Sequence, residues 1–560
     1  MFQPERQNRL CQKPFVSRLC FFEVDHATKS ITLCLAGVVK ILKRLAFFCP
    51  PRYIRNRDQQ AGDVAMDNGR VKDIGLNGDC LNVSNPIHFG TGGWRAIIGD
   101  DFVRGNICRV GYGVARMLIE DGQTDKPVVI GYDRRFLSDS AAGWLAQVFA
   151  ACGIKVWLMK RSAPSPLIMH TVKKCNLHCG LEVTASHNPP AFNGIKLIIH
   201  EGRDASVEVT QRLESLINSY CGAVPEMDFK TAVSEGLISY LKNPFNDFID
   251  DIVARLDMTA IRERGLRIAF DPMHGSGTYP LLVILYTARC TVDMINQNKD
   301  AYFGSSMPAP TAFGLRELTY KVMMGGYDLG IAFDGDGDRI GIIDPTGKYY
   351  DANSILMMLY WYLHEKKGWK GPVVRNIATT HLLDKMAESF GERCYEVPVG
   401  FKYVSAKIDE TDALIGGESS GGMTVRGHIY GKDSIYAASL FVEMLSVTGM
   451  TPAQIMGDLH SKYGDAVFGE KIVNLSVSEK AHIMDLVMMQ KAVPDFSSTG
   501  LVVDHVSYLD GCKVYFTDGS FVICRMSGTE PVLRIMAETP TANLSQQCID
   551  LFYDLVMSAE

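Results

Sequence analysis

Three aspartates stand at alternate positions in Asp334-Gly-Asp-Gly-Asp338, followed by Arg339. Carboxylates this close repel one another unless a cation lies among them, and hard divalent ions prefer oxygen ligands. The stretch therefore reads as a Mg2+ site formed by Asp334, Asp336 and Asp338. An EF-hand also opens on alternating aspartates, but it requires glycine sixth and glutamate twelfth, where this chain has Arg339 and Pro345. A second stretch, Thr184-Ala-Ser-His-Asn-Pro189, carries a hydroxyl at Ser186. Its Asn-Pro-Pro tail forbids helix and forces a turn, so Ser186 is expected at a strand end on an exposed loop. Asn193-Gly-Ile-Lys196 then brings an amine near that hydroxyl.

Three more loops carry chemistry. Phe89-Gly-Thr-Gly-Gly-Trp-Arg95 has glycines that let backbone approach an anion, and Arg95 adds a guanidinium fork. Arg525-Met-Ser-Gly-Thr-Glu-Pro531 sets arginine, two hydroxyls (Ser527, Thr529) and the Gly528 amide in one tight anion nest. Gly417-Glu-Ser-Ser-Gly421 matches the hydrolase pattern G-x-S-x-G, but Gly422-Met-Thr-Val-Arg-Gly runs straight on, without the helix a nucleophile elbow needs. Glu418 and Ser420 read instead as partners for sugar hydroxyls. Each loop alone also fits a plain polar turn. Together they supply what phosphoryl transfer requires: a cation to neutralise the moving group, and rigid positioning. A phosphorylated Ser186, with a charge of about -1.5 to -2, would sit on the metal held by the aspartates.

The elements around these loops alternate. Strands are expected at Gly180–Val183, Val128–Arg135 (a buried strand leading into charge), Lys155–Met159, Leu266–Asp271, Asp328–Phe333, Val373–Arg375 and Asp412–Gly416. Helices are expected at Ile107–Asp121, Ser140–Cys152, Ser206–Ser219 and Ser434–Val447. Such alternation implies βαβ units whose ligands lie beyond the strands' carboxyl ends. After Met450-Thr-Pro452, shorter alternating runs at Lys513–Thr517 and Phe521–Cys524 suggest a smaller α+β domain. The spacing of the first three units, each ending in a polar loop, suggests repeated domains.

The totals agree with this. A chain of 560 residues is too long for one core, and 47% apolar with 21% charged residues is a globular composition. Scattered charge summing to -6 leaves no footprint for nucleic acid. Fifteen cysteines without a paired CxxC pattern fit reduced thiols and a cytoplasmic location, and Cys175-Asn-Leu-His-Cys179 lacks the second ligand pair of a zinc site. Residues 1–65 read differently. Ile31–Phe48 contains Lys40, Lys43 and Arg44, too many charges for a membrane span. The segment reads as a basic amphipathic helix or, preferred, as sequence upstream of a native start at Met66.

The four stretches Thr184–Pro189, Asp334–Arg339, Gly417–Gly421 and Arg525–Pro531, in this order, resemble the signature loops of the α-D-phosphohexomutases, the phosphoglucomutase/phosphomannomutase family. The resemblance runs from about Phe89 to the C-terminus. It implies four domains around a central cleft: three similar α/β/α units with mixed sheets and a C-terminal α+β domain. The boundaries are expected at 81–225, 226–348, 349–452 and 453–560 after an extension over 1–80. It implies a phosphoserine at Ser186 that is also a metal ligand, with hexose phosphates as substrates and glucose 1,6-bisphosphate as intermediate. Arg95, Lys196 and Lys432 are implied as catalytic groups. Arg339, Phe401, Lys402, Glu418, Ser420, His428, Arg525, Ser527, Gly528 and Thr529 are implied as substrate contacts.

Departures bear on the sugar. Mannose-capable members usually continue the sugar loop Ser-Gly-His, where this chain has Gly422. Val397–Tyr403 resembles the Gly-Trp-Lys loop of glucose-specific members, with Phe401 as its aromatic, and His428 and Lys432 match their His-Ile-Arg-Glu-Lys-Asp. Glucose phosphate is the expected substrate, with mannose or glucosamine phosphate as the alternatives. A phosphotransferase using Asp334 as nucleophile and a non-catalytic sugar-phosphate sensor are the competing readings. Neither a membrane nor a nucleic acid is expected as partner, and the protein is expected as monomer or homodimer. The C-terminal domain is the expected lid.

Overall fold

The computed structural model describes residues 85–90, 92–526 and 532–557. The segment 1–80, with Met66 and the run 31–48, lies outside the described residues, as do Ser527, Gly528 and Thr529. Four sheets follow along the chain. In the first, Cys179–Val183, Val128–Tyr132, Val156–Leu158 and Ile238–Tyr240 run parallel, and Phe192–Ile199 closes against Cys179–Val183 as an antiparallel neighbour. The second has Thr291–Met294, Arg267–Asp271 and Leu329–Phe333 parallel, then Ile340–Ile343 antiparallel. The third repeats the order with Cys394–Val397, Val373–Asn376, Ile415–Gly417 and an antiparallel Met423–Val425. The fourth sheet is wholly antiparallel, with Ala542–Met557 packed on it as a helix.

Three units thus share one plan: two or more parallel strands, then a hairpin leaving the carboxyl end of the last. The hairpin turns are Thr184–Ala191, Asp334–Arg339 and Glu418–Gly422. The expected repeat is this shared topology, which identical sequence is not needed to maintain. The strands feeding the turns are buried on both faces, Leu329–Phe333 along its whole length, as parallel strands covered by helices must be. No helix follows Glu418–Gly422, so the nucleophile-elbow reading fails here on structure as well.

Two boundaries move. The strand Ile238–Tyr240, expected in a second domain starting at 226, extends the first sheet by pairing with Val156–Leu158. The helix Pro452–Tyr463, expected beyond 452 in the last domain, buries Ile455, Met456 and Leu459 in the core shared with Ile355, Leu359 and Met386. A composition shift at Met450-Thr-Pro marks only a break between helices. Gly449 ends one with φ +68, and Thr451 caps the next with Pro452 in its first turn. Among the described residues no single helix is long and apolar enough to cross a membrane, and the described cysteines are all free thiols.

Candidate functional site

The turns of the first three units meet. The Ser186 turn lies against the aspartate turn so closely that a Cβ on Gly335 would stand 2.7 Å from the Ser186 carbonyl. The aspartate turn in turn touches the third, whose Gly421 faces the Arg339 stem. This contact corrects one expectation: Ser186 is buried, at 4% exposure, because a neighbouring domain covers its loop. Its hydroxyl donates to Asp334 Oδ2 at 2.8 Å.

Around that pair sits a cage of charge. Lys196 Nζ donates to Asp336 Oδ2 at 2.6 Å, Asp338 Oδ2 at 2.7 Å and Ser165 Oγ at 3.2 Å. Lys432 Nζ lies 2.9 Å from Asp338 Oδ2. Burial works against the Lys196 charge, but Asp336 and Asp338 outweigh it and push the amine above the ordinary lysine range. Burial likewise opposes ionisation of Asp338, yet Lys196, Lys432 and Arg339 hold its carboxyl well below the usual range. Asp334 goes the other way: burial, Asp338 and Asp336 raise it well above. One ligand oxygen from each aspartate lies within 4.8 Å of the others. Asp336 Oδ1 and Asp338 Oδ1 are buried and find no hydrogen-bond donor. Unpartnered carboxylate oxygens of this kind fit a hard divalent cation.

The serine loop is held by groups that the motifs did not single out. Asp133 and Arg135 follow the buried strand Val128–Tyr132. The Arg135 guanidinium donates to the carbonyls of Ser186 (2.6 Å), Asn188 (2.7 Å), Pro189 (2.9 Å) and Phe192 (3.0 Å), and its Nε is 3.2 Å from Asp133. Asp133 also accepts from Thr184 Oγ1 at 2.7 Å, and Thr184 Oγ1 accepts from the Ser186 amide at 2.8 Å. These bonds hold Ser186 at φ +50, a left-handed conformation that a non-glycine residue keeps only when its surroundings demand it. Two charged residues directly after an apolar strand were the available signal, since buried charge is rare without a task.

Arg95 donates to the carbonyls of Gly92 at 2.8 Å and Trp94 at 3.0 Å, and burial lowers its guanidinium to about 10. A Cβ on Gly194 would come within 2.9 Å of Arg95 Nη1, so the bare backbone is what admits it. Glu418 is buried, its Oε1 accepting from Asn376 Nδ2 at 3.0 Å and the Gly400 amide at 2.9 Å, while Ser420 is exposed at the turn's tip. A Cβ on Gly422 would stand 2.0 Å from Lys432 Cδ. The lysine stem occupies the space that any side chain there would need.

Two expected substrate contacts are packed within the third domain. Phe401 packs inside the third domain with Val374, Val397, Val404 and Ile408, so its aromatic ring is core. His428 is buried with Nε2 2.6 Å from Asp433 Oδ2 and its ring against Tyr436; it orients the aspartate that caps the helix Ser434–Thr448. Lys402 is half-buried over the Tyr403 ring, and burial lowers its amine. Arg525 pairs with Asp510 at 3.2 Å, and Asp510 also accepts from the Val399 amide at 2.9 Å, tying the last domain to the third.

Models of four successive protein domains match this chain: Phosphoglucomutase/phosphomannomutase alpha/beta/alpha domain I at residues 86–221, domain II at 246–347, domain III at 351–463 and the C-terminal domain at 472–555. The chain is 27% identical over 474 residues to a phosphoglucomutase/phosphomannomutase of Thermococcus kodakarensis, covering 84% of this chain and 98% of that protein. It is 24% identical over 466 residues to a phosphoglucosamine/phosphogalactosamine mutase of Sulfurisphaera tokodaii, covering 82% and 97%. In fold it is similar to a phosphoglucomutase/phosphomannomutase family protein of Burkholderia thailandensis, with a TM-score of 0.70 at 22% identity over 84% of this chain and 97% of that one.

Proposed function

This chain belongs to the phosphoglucomutase/phosphomannomutase family of α-D-phosphohexomutases, and we propose that it interconverts glucose 1-phosphate and glucose 6-phosphate through a phosphoserine at Ser186. The observation that carries this reading is the Ser186 hydroxyl 2.8 Å from Asp334, inside a cage of three carboxylates and two ammonium groups. The phosphoserine gives its phosphoryl group to the free O6 or O1 hydroxyl of a hexose phosphate. The Ser186 Oγ–P bond breaks, a sugar O–P bond forms, and the proton lost by the acceptor hydroxyl is matched by one gained at Ser186 Oγ, which ends as a free hydroxyl. The product is glucose 1,6-bisphosphate, which turns round and returns its other phosphoryl group to Ser186.

Asp334, Asp336, Asp338 and the serine phosphate are the groups to hold Mg2+, which when bound neutralises charge on the phosphoryl oxygens. Lys196 enters the step as an ammonium, held in that form by Asp336 and Asp338 and suited to stabilising the group in transit. Arg95, anchored by its bonds to the Gly92 and Trp94 carbonyls, is the guanidinium to offer charge beside the group in transit. Lys432 adds positive charge beside Asp338. Glu418 and Ser420 accept from and donate to sugar hydroxyls, with Arg339 and Lys402 beside them. Arg525, Ser527, Gly528 and Thr529 grip the phosphate that stays on the sugar.

Nucleophilic attack by Asp334 is disfavoured. Its Oδ1 is turned into the loop by the amides of Asp338 and Arg339, and the oxygen left over, Oδ2, faces the Ser186 hydroxyl and the other two aspartates, the place of a metal ligand. Glucose is favoured over mannose because Gly422 stands where the mannose-capable pattern has histidine, and Lys432 fills that space. The curated relatives include phosphoglucosamine mutases, so glucosamine phosphate is the second reading. Turnover on glucose, mannose and glucosamine 1-phosphates, with trace bisphosphate, separates these. Ser186→Ala must abolish activity and the roughly 80 Da that one phosphoryl group adds to the intact mass; retained turnover would refute the phosphoserine.

A further inference from the structure

The first and third domains repeat a contact that no motif records. In each, the central parallel strand and its neighbour pair up to a last couple, Tyr132 with Val183 and Arg375 with Gly417. One residue further on, a polar side chain reaches across to the first residue of the hairpin turn. In the first domain this is Asp133, which accepts from Thr184 Oγ1 at 2.7 Å and so braces the Ser186 loop. In the third it is Asn376, whose Nδ2 donates to Glu418 Oε1 at 3.0 Å.

Asn376 has little freedom. It is 1% exposed. Its Oδ1 accepts from the Ala378 amide at 2.9 Å and from Thr379 Oγ1 at 2.9 Å, which leaves the nitrogen facing Glu418. Thr379 Oγ1 also accepts from the Ser419 amide at 3.0 Å, so the same cluster grips the turn one residue later. The Gly400 amide supplies the second bond to Glu418 Oε1 at 2.9 Å. One carboxylate oxygen is thereby saturated. Among the described residues no group donates to the other, Oε2.

We propose that Asn376 is the positioning residue of the sugar site, holding the Glu418 carboxylate in one orientation so that Oε2 alone accepts hydroxyls of the hexose. The inference rests on the reading of Glu418 as a sugar contact. It explains why the two domains differ in chemistry at one topological position. A hydroxyl donor at Thr184 calls for an acceptor, Asp133; a carboxylate at Glu418 calls for a donor, and an aspartate at 376 would set two carboxylates against each other.

The test is glucose 6-phosphate affinity by calorimetry in the Ser186→Ala protein with Mg2+ present, beside KM and kcat in the otherwise native enzyme. Asn376→Asp should weaken binding roughly ten- to a hundredfold, as losing one bond to a charged group does. It should raise KM more than it lowers kcat. In a Glu418→Ala background the same change should cost less than about threefold, because the group it positions is gone. Thr379→Val, which frees the amide to turn, should weaken binding in the same direction and serves if Asn376→Asp fails to fold. If Glu418→Ala weakens binding while neither Asn376→Asp nor Thr379→Val does, or if the losses multiply in the double variant, the positioning role is wrong. If Glu418→Ala itself binds normally, the reading of the sugar loop fails, and this inference with it.

Discussion

Arg135 is the group whose removal should be felt most widely without any contact to reacting atoms. Its guanidinium is buried, donates to four carbonyls of the loop from Ser186 to Phe192, and faces the buried carboxylate of Asp133. Arg135→Met leaves those carbonyls short of a donor and Asp133 without a counter-charge. Breaking a buried pair from one side costs about 3–5 kcal/mol. The Ser186 backbone, released from φ +50, would relax and displace Oγ, and a shift of about 1 Å is worth roughly a hundredfold in rate. Arg135→Lys keeps the charge but not the fork, so its loss should be smaller, about 1–3 kcal/mol. The assay is urea unfolding followed by tryptophan fluorescence, Trp94 and Trp157 lying in the first domain, alongside turnover on glucose 1-phosphate. An Arg135→Met protein that unfolds within about 1 kcal/mol of the parent and turns over within threefold would refute the brace.

Three further outcomes follow from the site and its surroundings. Gly422→Ala puts a methyl 2.0 Å from Lys432 Cδ and should push the ammonium off Asp338, lowering turnover at least about tenfold, which steady-state kinetics against a Lys432→Met control would check. Mg2+ at a hundred times its dissociation constant should raise unfolding stability by about 2.7 kcal/mol, and Asp336→Asn should remove most of that gain in a thermal scan. Burial raises the Asp271 carboxyl to about 6, above its unfolded value near 3.8, so the fold favours its protonated form. That contribution is present below pH 3.8 and is lost as pH rises through 6, so Asp271→Asn should gain on the parent by up to about 3 kcal/mol between pH 4 and 7, measured by unfolding at each pH.

The chain's local chemistry was sufficient for the parts that depend on neighbours in sequence. Aspartates two residues apart repel wherever the loop lies, Asn-Pro-Pro turns the chain after Ser186, and apolar runs ending in polar loops declare strands with ligands at their tips. The three-unit plan and the cluster of three aspartates were legible for that reason. What needed the fold were pairings across hundreds of residues. Burial of Ser186 comes from Asp334 and Gly335 in another domain. Phe401 packs among Val374, Val404 and Ile408, and His428 against Asp433 and Tyr436, partners that only packing supplies. The strand Ile238–Tyr240 joined the first sheet because an open edge at Val156–Leu158 was available to its backbone, a choice that composition does not encode. Asp133, Arg135 and Asn376 are ordinary polar residues in one dimension. They become braces because strand register sets each beside the first residues of a turn more than forty positions away, in an interior where an unpaired charge or amide is too costly to leave alone.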